Sequence, residues 1–141
     1  MPLATPLADE GEVLVVEDDL GFARLLEAEL AHHGLSAVLV SNAEAAMARL
    51  ETVRPRAMLL DLLLPGQAEH ALLERARQSN GDGVPTVIVT VKDLDLAGMR
   101  ALEHLGAAAV VRKESNAATR AAALVARLLA RDEPAVNGCA A

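Results

Sequence analysis

Residues 13–19 read VLVVEDD, in which four apolar residues, three of them β-branched, run directly into three acids. A continuous apolar run is typical of a strand that is buried on both faces, as in a parallel sheet. Similar short runs recur as AVLV at 37–40, AMLL at 57–60, TVIV at 86–89 and AAVV at 108–111. We therefore expect five strands, although the third and fifth have a weaker β-propensity than the others.

Amphipathic segments separate the apolar runs. Apolar residues recur at helical spacing in four of these segments, and a weaker pattern covers residues 68–79. The four stripes are Phe22, Leu25, Leu26 and Leu30; Ala43, Ala46, Met47 and Leu50; Leu94, Ala97, Ala101, Leu102 and Leu105; and Ala118, Ala121, Ala122, Val125, Leu128 and Leu129. Because strands and helices alternate, the pattern predicts an α/β fold, (βα)5, with a parallel sheet covered by helices on both faces.

The boundaries of the predicted helices carry residues that start or end helices. Gly34 and Gly106 stand where two helices should end, a position that favours a left-handed backbone. Ser41 and Glu44 have the spacing of a capping box before the second helix. Asp19 is expected to cap the first helix.

The chain has 141 residues, which is the size of one ordinary domain. We expect a domain over residues 12–131, preceded by a flexible leader at 1–11 and followed by a flexible tail at 132–141. The start of the chain lacks the basic and apolar regions of a signal peptide, and no apolar run reaches the roughly 20 residues of a membrane span. These features predict a cytoplasmic protein that makes no membrane contact.

The composition excludes several classes of binding protein. Phe22 is the single aromatic residue, so bases and sugars cannot be stacked on an aromatic platform. The formal net charge of −7 argues against a generic nucleic-acid binder, which needs a cationic surface. The single cysteine, Cys139, cannot form a disulfide within the chain, as expected in a reducing compartment.

The carboxyl ends of the predicted strands carry most of the chemistry, because ligands of open α/β sheets bind at that edge. Polar residues follow four of the five runs: Glu17, Asp18 and Asp19 after the first, Asp61 after the third, Thr90 after the fourth and Lys113 after the fifth. Crowded carboxylates repel one another unless a cation joins them, and Mg²⁺ prefers such oxygen ligands. A hydroxyl and an ammonium opposite the acids would complement a phosphoryl group.

Each of these residues has an ordinary structural explanation when it is taken alone. An acidic run before a helix is usually a cap, Asp61 could start a turn, Thr90 could simply be a strand residue, and Lys113 could be a solvated surface lysine. The joint arrangement favours function, since four separate strand ends each supply a residue type that a carboxylate–Mg²⁺–phosphate site requires.

Four ordered motifs, VLVVEDD, LLDLLLPG, VIVT and GAAAVVRK, resemble the receiver (CheY-like) domain of bacterial two-component response regulators. The resemblance covers residues 12–131 and implies a doubly wound, flavodoxin-like sheet in the order 2-1-3-4-5. It also implies a role for each matching residue. Those roles are Asp61 as phospho-acceptor; Glu17, Asp18, Asp61 and the backbone carbonyl of Leu63 as Mg²⁺ ligands; Thr90 as switch hydroxyl; and Lys113 as the partner of the phosphoryl group.

The resemblance implies a signalling domain rather than an enzyme. A histidine kinase or histidine phosphotransfer protein would donate the phosphoryl group, and a conformational change would then alter protein–protein contacts. The residues two positions beyond the acceptor and the switch hydroxyl, Leu63 and Lys92, influence hydrolysis in this family. Because an apolar Leu63 cannot orient a water molecule, we expect slow self-dephosphorylation.

Three residues depart from the family pattern. Val110 replaces the usual aromatic residue, Glu114 replaces the proline after the lysine, and Val91 replaces a small residue after the switch hydroxyl. A phosphorylation-independent interaction or scaffold domain is therefore an alternative hypothesis. An aspartyl-phosphate phosphatase is disfavoured because Leu63 stands where the second acid is needed, and a flavin-binding domain is disfavoured by the absence of stacking aromatics and of a phosphate loop.

The last predicted helix is a candidate output surface. Only ten residues follow Arg131, too few for a helix-turn-helix, so we expect a stand-alone receiver whose output is protein contact rather than DNA binding. Arg120, Arg127 and Arg131 share one helical face. Together with Val110 and Arg112, this face is predicted to meet an acidic partner or a second copy of the chain. The ordinary alternative is a solvated face whose late arginines favour the helix C-terminus.

Overall fold

A computed structural model describes residues 12–62, 68–78, 83–91 and 93–131, in which five strands and five helices alternate. The elements are β1 (Glu12–Val16), α1 (Leu20–His32), β2 (Ser36–Val40), α2 (Ala43–Thr52), β3 (Ala57–Asp61), α3 (Ala68–Arg77), β4 (Thr86–Thr90), α4 (Leu96–His104), β5 (Ala107–Arg112) and α5 (Ala117–Arg131). The predicted leader and tail lie outside the described residues.

The strands pair in parallel in the order β2-β1-β3-β4-β5, which confirms the predicted topology. The three central strands are almost completely buried. The β3 sequence AMLLD has weak β-propensity, but it lies between β1 and β4 with every residue buried. Packing on both faces therefore overrides local preference in this strand.

The core has two layers because alternate strand residues point to opposite faces of the sheet. Val13 and Val15 pack with α1 and α5 on one face. Leu14 and Val16 pack with α2, α3 and α4 on the other face. Both layers consist of aliphatic side chains, with Phe22 at the margin of the first one.

β5 is an edge strand that carries an irregularity. The register passes from Thr86 opposite Ala107 to Val87 opposite Ala109, so Ala108 is an extra residue in β5. Ala108 is exposed. Such a bulge locally increases strand twist and redirects the residues that follow.

The structure confirms most of the predicted helix boundaries and corrects two details. Asp19 caps α1, as predicted, with its side chain accepting from the amide of Phe22. The capping-box prediction at Ser41 was wrong, because α2 begins at Ala43 and is capped by Asn42. Leu25 was wrongly placed on the buried stripe: it is 56% exposed, since the α1 face that meets the core centres on Ala23, Leu26 and Leu30.

Gly34, Gly83 and Gly106 all have positive φ, but their surroundings differ. A Cβ at Gly83 would lie 2.9 Å from the carbonyl oxygen of Arg77, whereas a Cβ at Gly34 would meet nothing within 4 Å.

We expect Gly34→Ala to lower the free energy of unfolding by about 1–2 kcal/mol, which is the cost of the left-handed backbone alone. Gly83→Ala should cost about 1–3 kcal/mol more because the backbone must also shift. Urea denaturation of both variants tests this, and equal losses would contradict it.

Candidate functional site

The carboxyl edge of the sheet gathers the predicted site residues by backbone hydrogen bonding. Asp61 and Thr90 are the last residues of β3 and β4. Glu17 follows β1, and its amide donates to the carbonyl of Val40 at 3.0 Å. Lys113 follows β5, and its amide donates to the carbonyl of Thr90 at 2.8 Å. Both residues therefore continue the sheet ladder.

Three carboxylates form a compact cluster at this edge. One oxygen each from Glu17, Asp18 and Asp61 lies within 4.8 Å of the others. Glu17 is 4% exposed and Asp61 is 3% exposed, whereas Asp18 is open to solvent. An all-oxygen donor set with one solvent-facing member fits Mg²⁺, which keeps part of its water shell.

Lys113 supplies a positive charge beside this cluster. Its Nζ lies 3.0 Å from Glu17 Oε1 and 3.8 Å from Asp61 Oδ2. Its side chain is only 17% exposed, so the alternative of a freely solvated surface lysine is wrong. Buried ion pairs are screened by salt much less than surface pairs.

Burial raises the pKa of the Glu17 carboxyl above its usual value. Hydrogen bonds from Lys113 and from the Asp19 amide oppose this rise in pKa, and the charge of Asp61 adds to it. The Asp19 amide donates to Glu17 Oε2 at 3.1 Å. Burial thus outweighs the favourable contribution of Lys113 to the Glu17 carboxylate, and a cation held by the cluster would offset the cost of the buried charge.

Thr90 lies at the same carboxyl edge of the sheet as the acids. In the β3–β4 register Asp61 faces Val89, and Thr90 is the next residue along β4. Thr90 is 1% exposed. Leu63 and Lys92, which were assigned a metal-ligating carbonyl and an influence on hydrolysis, lie outside the described residues.

The predicted output residues occupy different environments. Val110 is half-buried against the core layer of α2, α3 and α4. Arg112 is exposed and pairs with Asp93 at 2.7 Å and with Glu114 at 3.7 Å. Arg120 and Arg127 of α5 are both exposed. The structure thus places these residues at the surface or its margin, and their role stays a prediction.

Sequence reasoning missed one neighbour of the site. The ring of Phe22, on α1, lies with its centroid 4.6 Å from Lys113 Nζ. The pattern of apolar residues assigned Phe22 only to a core-facing stripe. The sequence shows that Phe22 is the single aromatic residue. It does not show that the ring lies over a lysine 91 residues later in the chain.

Residues 13–125 match the family described as the response regulator receiver domain. The chain belongs to this family. Receivers of this family are signalling domains of two-component systems, for which phosphorylation and Mg²⁺ at an acidic pocket are hallmarks. The described residues of this receiver include an acidic cluster formed by Glu17, Asp18 and Asp61.

Known proteins similar to this receiver include regulators and isolated domains. It is 33% identical to the sensory transduction protein RegX3 of Mycobacterium tuberculosis over 105 residues, which are 74% of this chain and 45% of RegX3. The chain thus spans less than half the length of this curated relative.

Solved structures of receiver domains superpose closely on the fold. The signal receiver domain of a putative Luxo repressor protein from Vibrio parahaemolyticus is 25% identical, with a TM-score of 0.76 and coverage of 86% of this chain and 92% of that one. The signal receiver domain of a signal transduction histidine kinase from Syntrophus aciditrophicus is 27% identical, with a TM-score of 0.73 and coverage of 87% and 92%. Within the described residues of this receiver, no helix is both long and apolar enough to span a membrane.

Proposed function

We propose that this receiver accepts a phosphoryl group on Asp61 from the phosphohistidine of a histidine kinase or a histidine phosphotransfer protein. The observation that carries this proposal is the convergence of Glu17, Asp18 and Lys113 on one buried carboxylate. Asp61 lies within the acidic cluster and 3.8 Å from the ammonium of Lys113. Phosphoryl transfer depends mainly on such positioning and charge neutralisation.

The reaction forms one bond and breaks another. A carboxylate oxygen of Asp61 attacks phosphorus, a new O–P bond gives an acyl phosphate, and the N–P bond to the donor imidazole breaks, so that histidine leaves with the bonding electron pair. Lys113 pairs with the negative oxygens of the transferred group, and the Thr90 hydroxyl donates a hydrogen bond to one of them. Mg²⁺, held by the acidic cluster and the backbone carbonyl of Leu63, would neutralise the remaining charge.

The product changes the charge balance of the site. The acyl phosphate adds negative charge next to buried Glu17, and a new strong acceptor stands beside Thr90. Movement of Thr90 and of the chain that follows β4 satisfies this acceptor. Such a shift between two states changes the surface that partner proteins meet, which is the signalling step.

A phosphorylation-independent interaction domain is the second candidate. It is favoured by Val110, which packs against the core where the family usually carries an aromatic residue, and by Glu114 in place of proline. The intact acidic cluster and the largely shielded Lys113 favour the phosphorylated receiver instead.

The proposal is tested by incubating the protein with acetyl phosphate and measuring its intact mass. We expect a gain of one phosphoryl group with Mg²⁺ and none with EDTA, because the acidic cluster needs a cation before another anion can enter. Hydroxylamine should remove the added mass, as it does from acyl phosphates. An added mass that resists hydroxylamine would contradict an aspartyl phosphate, and no added mass with Mg²⁺ would favour the scaffold alternative.

We also propose that the exposed α5 arginines contribute to the output contact, either with an acidic partner or with a second copy of the chain. If the partner is a second copy, phosphorylation should promote self-association. Arg120→Glu combined with Arg127→Glu should then weaken self-association by about tenfold or more, because the reversed α5 face would repel the second copy, whose formal net charge is −7. Sedimentation velocity before and after phosphorylation measures this, with Arg24→Glu on α1 as the matched control. Unchanged self-association in the double variant would contradict a role for these arginines.

A further inference from the structure

We propose that Phe22 is a positioning residue for phosphoryl transfer, because its ring holds the ammonium of Lys113 in place beside Asp61. The inference rests on the proposed function, in which Lys113 pairs with the phosphoryl group. An uncharged ring takes no part in the transfer itself, so Phe22 acts through the lysine.

The contact has the geometry of a cation–π interaction. Lys113 Nζ lies 4.6 Å from the centroid of the Phe22 ring, inside the roughly 6 Å limit for this attraction. The lysine side chain is largely shielded from solvent, which strengthens the attraction because water competes less for the ammonium. The ring is half-buried and packs against the core layer of α1 and α5, and this packing restrains its position.

The backbone connects Phe22 to the acidic cluster through Asp19. The amide of Phe22 donates to Asp19 Oδ1 at 3.2 Å. The amide of Asp19 in turn donates to Glu17 Oε2 at 3.1 Å. The β1–α1 connection therefore fixes the ring, the helix cap and a cluster carboxylate as one unit.

The ring provides an attraction that the carboxylates cannot. The ammonium is nearer to Glu17, at 3.0 Å, than to Asp61, at 3.8 Å. Any cation that engages the cluster reduces the pull of Glu17 on the lysine, but it leaves the attraction of an uncharged ring unchanged. Phe22 therefore keeps the long, flexible side chain of Lys113 next to Asp61 when Glu17, the nearer carboxylate, binds another cation.

The composition makes a specific test feasible. The chain has one phenylalanine, no other aromatic residue, and only two lysines, Lys92 and Lys113. Fluorinated phenylalanines supplied during expression therefore change one ring only, and they weaken its negative face while nearly preserving its shape. Lysine labelled with ¹³C at the ε-carbon gives two signals, which Lys113→Arg assigns.

The first measurement needs no phosphodonor. We expect the ε-methylene signal of Lys113 to show an upfield ring-current shift in the metal-free protein, to keep that shift in Phe22→Trp and to lose it in Phe22→Leu. A Lys113 signal that is the same in wild type and Phe22→Leu would overturn the inference. Leu25→Ala, at an exposed position of the same helix, is the matched control and should leave the signal unchanged.

The second measurement is the rate of phosphorylation by acetyl phosphate with Mg²⁺. We expect Phe22→Leu to react about fivefold more slowly, Phe22→Trp to restore the rate, and progressive ring fluorination to slow it in steps. Melting temperatures identify any variant that is unfolded. The fluorinated proteins keep the wild-type sequence, so they test the electrostatic attraction of the ring while nearly preserving its packing. Equal rates across the fluorinated series would overturn the inference. If wild type takes up no phosphoryl group, the proposed function fails, while the lysine signal still tests the contact.

Discussion

Asp61→Asn is expected to abolish phosphoryl uptake from acetyl phosphate and from any phosphohistidine donor. The amide is close in size to the carboxylate, but it offers no anionic oxygen for attack on phosphorus, so the rate should fall by about a thousandfold or more. Intact-mass measurement against time gives the rate. The variant should remain folded, because Asp61 stands at the end of a buried central strand and asparagine preserves its shape.

Asp19→Asn is the matched control for this prediction. Asp19 lies next to the acidic cluster in sequence, but its side chain caps α1. Asparagine caps helices about as well as aspartate, so this variant should accept phosphoryl groups at nearly the wild-type rate. Phosphoryl uptake by Asp61→Asn would show that another group is the acceptor, and equal loss in both variants would show that the loss is not specific to Asp61.

Glu17→Gln is expected to stabilise the metal-free protein while it removes most of the Mg²⁺ affinity. Burial and the nearby charge of Asp61 raise the pKa of Glu17, despite the opposing contribution of Lys113. The ionised carboxylate is therefore less favourable in the folded protein than in the unfolded chain, and a neutral amide avoids this cost. Loss of one anionic ligand should lower the affinity for Mg²⁺ by about 10- to 100-fold or more.

The same pKa gives this prediction a pH dependence of definite sign. A raised folded-state pKa means that the folded protein binds the Glu17 proton more tightly than the unfolded chain does. The contribution of Glu17 to stability is thus fully present below its ordinary pKa of 4.5 and is lost as pH rises through the raised value. In thermal melts without metal, the advantage of Glu17→Gln over wild type should appear as pH rises through that window.

A matched control and a metal titration complete the experiment. Glu27→Gln, on α1, changes a half-exposed carboxylate whose ion pair with Arg24 is long, at 3.8 Å. Such a pair is worth little, so this variant should melt like wild type at every pH. Calorimetric titration with Mg²⁺ should detect binding to wild type and Glu27→Gln. Wild-type Mg²⁺ affinity in Glu17→Gln would mean that Glu17 is not a ligand.

The sequence predicted the topology well because three of the five strands have strong local signals, and the alternation with helices placed the third and fifth. Apolar runs such as VLVV and TVIV indicate buried strands, and the rule that parallel strands share a carboxyl edge brings Glu17, Asp61 and Lys113 together without coordinates. Errors occurred where neighbouring residues have similar propensities. Ser41 and Asn42 are both good helix caps, and only the backbone hydrogen bonds of α2 decide between them.

The remaining features depend on contacts between distant parts of the chain. Whether Leu25 or Ala23 faces the core follows from the rotation of α1 against α5, which local spacing does not fix. The approach of Phe22 to Lys113 likewise needs α1 and the end of β5 to be docked on the same sheet. Such contacts become visible only in the folded structure.

The placement of Lys113 after the last strand has a consequence for biosynthesis. The ribosome releases the three acids of the cluster well before it releases β5, so a nascent chain carries the nucleophile without its counter-charge. Because β5 is an edge strand that pairs with β4 in the part of the chain that the structure describes, the Lys113 ammonium reaches Asp61 only when β5 has docked. A chain that ends before β5 therefore lacks Lys113 and should compete poorly with the finished protein for the proposed phosphohistidine donor.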